Sequence, residues 1–109
     1  MPAKISLNNM NELRALILDI KEYLEKDNNK YGTSIIFDLT NKISDKVTKA
    51  SIVGDIYQVD NDIAYSILAY LSFVQTFFAS KIKATHYQDH EVVEIYWNAV
   101  SLKDYFRTV

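Results

Sequence analysis

The stretch IAYSILAYLSFVQTFFAS, residues 63–80, contains no charged side chain; Asp60 and Asp62 precede it, and Lys81 and Lys83 follow. Its reading decides the class of the chain. A run of this length lies at the lower limit for a membrane-spanning helix and near the upper limit for the central helix of a soluble core. Acidic residues before it and lysines after it suit the dipole of a helix. At about 100° per residue, Ile63, Ile67, Tyr70, Leu71, Val74, Phe77 and Phe78 gather on one side. Tyr65, Ala69, Ser72, Thr76 and Ser80 gather on the other. A lipid-facing helix is apolar all round, whereas this one has a hydroxyl-rich face and Gln75 in mid-segment. The expectation is a soluble helix packed on two sides, with a membrane span as the lesser alternative. Small residues let backbones approach closely, so Ala69, Ser72, Thr76 and Ser80 suit a second helix, from this chain or from another copy. The plain alternative is that this face is merely exposed and uncharged.

Upstream, residues 10–26 read as a helix, because Leu13, Leu16, Ile17, Ile20 and Leu24 recur at the spacing of one helical face. Asn9, with Glu12 three residues on, is the expected N-cap. Asp27, Asn28, Asn29 and Gly32 break the pattern. Thr33 or Ser34 is expected to cap a second helix over 33–50, striped by Ile36, Leu39, Ile43, Val47 and Ala50. Residues 51–62 are ambiguous: Ile52 and Val53, then Ile56 and Tyr57, flank Gly54 and Asp55. An irregular or short helical connection is expected there, with very short strands about a turn as the alternative. Asp60, Asn61 or Asp62 then caps the uncharged helix.

Downstream, Val92, Val93, Ile95, Tyr96 and Trp97 have high strand propensity, and residues 87–90 read as a turn, which together would make 81–97 a hairpin. As a helix over 88–107, however, Val92, Val93, Ile95, Tyr96, Val100, Leu102 and Phe106 fall in one wide apolar arc. The helix is the favoured reading. The whole chain of 109 residues is then one domain, 1–109, of the all-α class. Its expected architecture is a compact bundle of about four helices around the central uncharged helix; the alternative is α+β with a C-terminal β-hairpin.

Composition excludes several functions. Without cysteine there is no disulfide framework, thiolate nucleophile or cysteine-based metal site. With only Gly32 and Gly54, the chain lacks the glycines of a nucleophile elbow, a phosphate-cradling loop or a dinucleotide fingerprint. No acid and base pair stands out, so no catalytic residue is nominated and no enzyme is expected. No cofactor is expected either. The N-terminal residues lack the basic and apolar pattern of a secretory signal, and the cytoplasm is the expected compartment. Net charge is −2, and positive and negative residues balance along most of the chain, so nucleic-acid binding is disfavoured. The local exception is Lys42, Lys46 and Lys49, at one-turn spacing on the second helix. A solvated helix surface is the simpler account of them, and a nucleoprotein subunit is the alternative.

Two candidate sites remain. His86 and His90 are four residues apart, with Glu94 four further on, a spacing that offers two nitrogens and an oxygen to a metal such as zinc if one helix carries all three. That geometry requires the helix to begin by Thr85, and two exposed polar residues at an element boundary are the plainer reading. Aromatic residues are the stronger signal. Tyr87, Tyr96, Trp97, Tyr105 and Phe106 crowd the end of the chain, with Trp97 at the edge of the apolar arc and Tyr105 outside it. Such residues are core or, where the core cannot enclose them, interface anchors. The expected function is non-enzymatic protein binding, as a self-assembling homo-oligomer subunit or a stoichiometric inhibitor or immunity-type protein. The interface would use Ala69, Ser72, Thr76, Ser80, Trp97 and Tyr105.

Overall fold

Buried Ala3 and Ile5 alternate with exposed Lys4, the two-residue period of a strand, and β1 spans Ala3–Ser6. In the computed structural model, which describes residues 3–26, 33–84 and 89–109, the strand runs directly into α1, Leu7–Lys26. Ser6 caps that helix: its Oγ accepts the Asn9 backbone N–H at 3.2 Å and the Asn9 side-chain amide at 2.8 Å. The cap therefore lies three residues before the expected Asn9, because pairing of β1 already holds Ser6 in the extended backbone that an N-cap needs. Met10, Leu13, Leu16, Ile17, Ile20 and Leu24 form the buried stripe of α1.

The second helix, α2, spans Thr33–Thr48 and ends two residues before the expected position. At its end the Val47 carbonyl accepts both the Ala50 N–H and Arg14 Nη2, each at 3.2 Å. The break expected at Asp27, Asn28, Asn29 and Gly32, and the side chains of Thr33 and Ser34, lie outside the described residues, as do Thr85, His86 and Tyr87.

The ambiguous connection is a hairpin, which corrects the expectation of an irregular or helical link. Strand β2 (Ser51–Val53) pairs antiparallel with β3 (Ile56–Val59), and Val53 opposite Ile56 leaves Gly54 and Asp55 as the two-residue loop. Gly54 has φ of +65°, and among the described residues no non-glycine has positive φ, which is the pattern of a turn with glycine at its first central position. Strand β3 is central, with order β1-β3-β2. Ala3 opposite Val59 and Ile5 opposite Tyr57 place four buried side chains on one face. The sheet enlarges the class from all-α to mostly helical with a small three-stranded sheet. Its strands are too short for periodicity to reveal, and β1 finds its partner more than fifty residues away.

The uncharged run lies in α3, Asn61–Ala84, which begins as expected with the Asp60 carbonyl accepting the Ile63 and Ala64 N–H groups. The last helix, α4, spans His90–Arg107, and Asp89 caps it by accepting the Glu91 N–H at 3.0 Å. No C-terminal hairpin forms, because Val92, Ile95, Ala99, Leu102 and Phe106 gain a continuous buried stripe only as a helix. Helix α1 packs on α2 and α4, and α3 packs on α2 and α4.

Two polar devices tie these layers together. Arg14 donates from Nη1 to the Tyr57 hydroxyl at 2.9 Å and lies over the Tyr57 ring, linking α1, the sheet and the end of α2. Inside the core, Thr40 Oγ1 donates to the Ile36 carbonyl at 2.6 Å. Its proton is thereby used, so the Tyr70 hydroxyl donates to Thr40 Oγ1, at 2.8 Å. Burial pushes the Tyr70 pKa up to about 12.

Candidate functional site

Helix α3 buries Ile67, Tyr70, Leu71, Val74 and Phe78, as its large-residue side predicts. Its other side is not enclosed: Tyr65, Ala69, Thr76 and Ser80 are exposed and Ser72 is half-buried. Close packing by a helix of this chain, one of the outcomes expected for that face, does not occur at Ala69, Thr76 or Ser80. The hydroxyls instead turn back on their own helix. Ser66 donates to the Asp62 carbonyl, Ser72 to Leu68, Thr76 to Ser72 and Ser80 to Thr76, at 2.9–3.1 Å. Their donor capacity is spent within the helix, so the face presents methyls, methylenes and hydroxyls without charge. By length and composition α3 is the one helix among the described residues able to cross a membrane, and 28% of its apolar window is buried inside the protein.

Beside this face, α2 and α3 leave a groove of about 370 Å³. Leu39 and Ile43 from α2 and Tyr70 and Phe73 from α3 give it apolar walls, with Ala69 keeping it open. Lys42 and Lys46 stand along it, and Lys46 Nζ donates to Ser66 Oγ at 3.3 Å. Two of the three lysines singled out from the sequence thus converge with Ala69, an interface candidate. Lys49 is exposed and does not line the groove. Phe73, 38% exposed, is the residue sequence reasoning missed here; its position between the two sides of α3 was the available signal.

On α4, Trp97 is 59% exposed and lies opposite the stripe of Val92, Ile95, Ala99, Leu102 and Phe106, not at its edge. Its ring meets Tyr96 edge-on at 5.1 Å between centroids. Glu94 lies one turn before it, and α1, which packs on α4, carries Asp19 and Glu22. The Asp19 carboxyl is raised above its ordinary value, first by desolvation and then by repulsion from Glu22 and Glu94. Trp97 thus stands exposed with the exposed Glu94 as its acidic neighbour along α4.

Tyr105, another interface candidate, also has a contact within the chain. It is half-buried, and its hydroxyl accepts the Ser6 backbone N–H at 3.0 Å, fastening α4 to the junction of β1 and α1. The metal candidate also loses its premise. Helix α4 begins at His90 after an extended Asp89, so the helix that would align His86, His90 and Glu94 does not begin by Thr85. His86 lies outside the described residues, His90 and Glu94 are exposed, and no cluster among the described residues has the makings of a metal site.

Among the described residues no buried side-chain nitrogen or oxygen lacks a hydrogen-bond partner. Asp19 and Tyr70 have pKa values raised above their ordinary ones; Tyr70 lines the groove and Asp19 does not. Compared with known proteins, the chain matches no family model, no curated protein and no solved structure.

Proposed function

We propose that the chain is a non-enzymatic protein-binding module that assembles with copies of itself. Its four helices act as a bundle that carries contact surfaces on its outside. The observation that carries this reading is the exposure of Trp97 on the side of α4 opposite its buried stripe. A large aromatic placed there adds nothing to the core of its own helix. Burying the exposed part of such a side chain removes on the order of 100 Å² from water, worth roughly 3 kcal/mol of association. Tryptophan is also the residue type most enriched among the few that dominate binding energy. The uncovered, uncharged side of α3 supports the same reading, since it lowers the desolvation cost of covering it.

Sedimentation equilibrium tests the proposal. The wild type assembles with rising concentration, and Trp97→Ala weakens assembly by roughly a hundredfold while its melting temperature stays near that of the wild type. Unchanged assembly with a large drop in melting temperature would make Trp97 a structural residue and remove the proposal's main support.

A further inference from the structure

We infer that the groove between α2 and α3 receives the Trp97 face of a second copy, joining chains head to tail. This rests on the self-assembly reading above and names the two surfaces that meet.

Charge and shape select the occupant. The groove presents apolar walls and the ammonium groups of Lys42 and Lys46, with no acidic residue in its lining. Lys42 has no hydrogen bond or ion pair among the described residues, so its charge is available. The Trp97 face presents the converse: an exposed indole with the exposed Glu94 one turn before it on the same helix. The Glu94 carboxylate on one copy gains from two cations on another, because opposite potentials both attract and align the surfaces. At about 370 Å³ the groove has the size of a small binding pocket, enough for an indole and its flanking alkyl groups.

A chain cannot fill its own groove. Helix α4 packs on α3 and α1, whereas the groove lies between α3 and α2. Trp97 points away from the stripe that holds α4 to the rest of the protein. The two surfaces are thus distinct, and where each copy uses them to engage two different neighbours the contact is heterologous. Such a contact propagates into a ring or an open filament.

A mixing experiment tests the pairing. Lys42→Glu with Lys46→Glu disables the groove, and Trp97→Ala disables the inserted side chain; all three positions are exposed, so both variants should fold, which circular dichroism checks. Each variant alone should assemble at least roughly tenfold more weakly than the wild type. An equimolar mixture should form a heterodimer that grows no further, because it contains one intact groove and one intact Trp97. A groove variant that assembles like the wild type, or a mixture that stays monomeric, overturns the pairing and leaves self-assembly standing. A wild type that is monomeric at every concentration removes the self-assembly reading itself. A groove that takes a fatty acid shows as laurate binding by a monomeric wild type, unchanged by Trp97→Ala, and that result also overturns the assignment.

Discussion

The Tyr105 hydroxyl accepts the backbone N–H of Ser6 at 3.0 Å, so the last helix holds the residue at which the first strand becomes the first helix. Ser6 serves three elements at once: it closes β1, caps α1 through Oγ, and donates its N–H to α4. Tyr105→Phe leaves that half-buried N–H without its partner. The expected cost is about 1 kcal/mol, or a fall in melting temperature of roughly 4–8 °C, read by calorimetry. Self-association should not change, which separates Tyr105 from Trp97.

The buried Tyr70 and Thr40 pair makes a prediction at alkaline pH. Tyr70 has its folded pKa raised from 10.0 to about 12. The folded state therefore holds the phenol proton more tightly than the unfolded state does. The stability this contributes is fully present below pH 10 and is lost as pH rises toward 12. Thermal unfolding of wild type and Tyr70→Phe across pH 9–12 should give a steeper decline for the wild type. Parallel curves would mean that Tyr70 is not buried as described.

Asp19 predicts a dependence of opposite sense to that of most carboxylates. Its pKa is raised by desolvation and by Glu22 and Glu94, so ionisation costs more in the folded state than in the unfolded one. That cost is complete above the raised value and disappears as pH falls below the ordinary 3.8. At neutral pH, and at a dilution where the chain is monomeric, Asp19→Asn should stabilise by no more than about 1 kcal/mol, the range of exposed charge interactions. Below pH 3.8 the two proteins should melt together. A destabilised variant at neutral pH would show that Asp19 has a favourable partner.

What the sequence makes legible follows the length of each element. Helices α1, α2 and α3 carry their buried residues at regular helical spacing, and each was readable to within a few residues at its ends. The sheet was legible only as the lesser alternative of short strands about Gly54 and Asp55, because three- and four-residue strands are too short for their period to decide, and β1 is defined by its partner β3, which no local window contains. In α4, high strand propensity at 92–97 competes with a helical stripe, and tertiary burial of Val92 and Ile95 decides between them. Of the interface candidates, Trp97, Ala69, Thr76 and Ser80 stand exposed and Ser72 is half-buried, while Tyr105 is engaged within the chain. Tyr105 differs from Trp97 in having a hydroxyl within reach of the Ser6 N–H, a contact between the two ends of the chain that no spacing rule reports. Convergence of Lys42 and Lys46 with Ala69 and Phe73 likewise depends on α2 lying beside α3.

Light scattering on a dilution series of the wild-type chain tests the central claim most directly, because it reads assembly without any substitution. The account predicts a mass per particle that climbs steadily above the monomer value as concentration rises and falls back on dilution. A monomer mass at every concentration from micromolar to millimolar would contradict it.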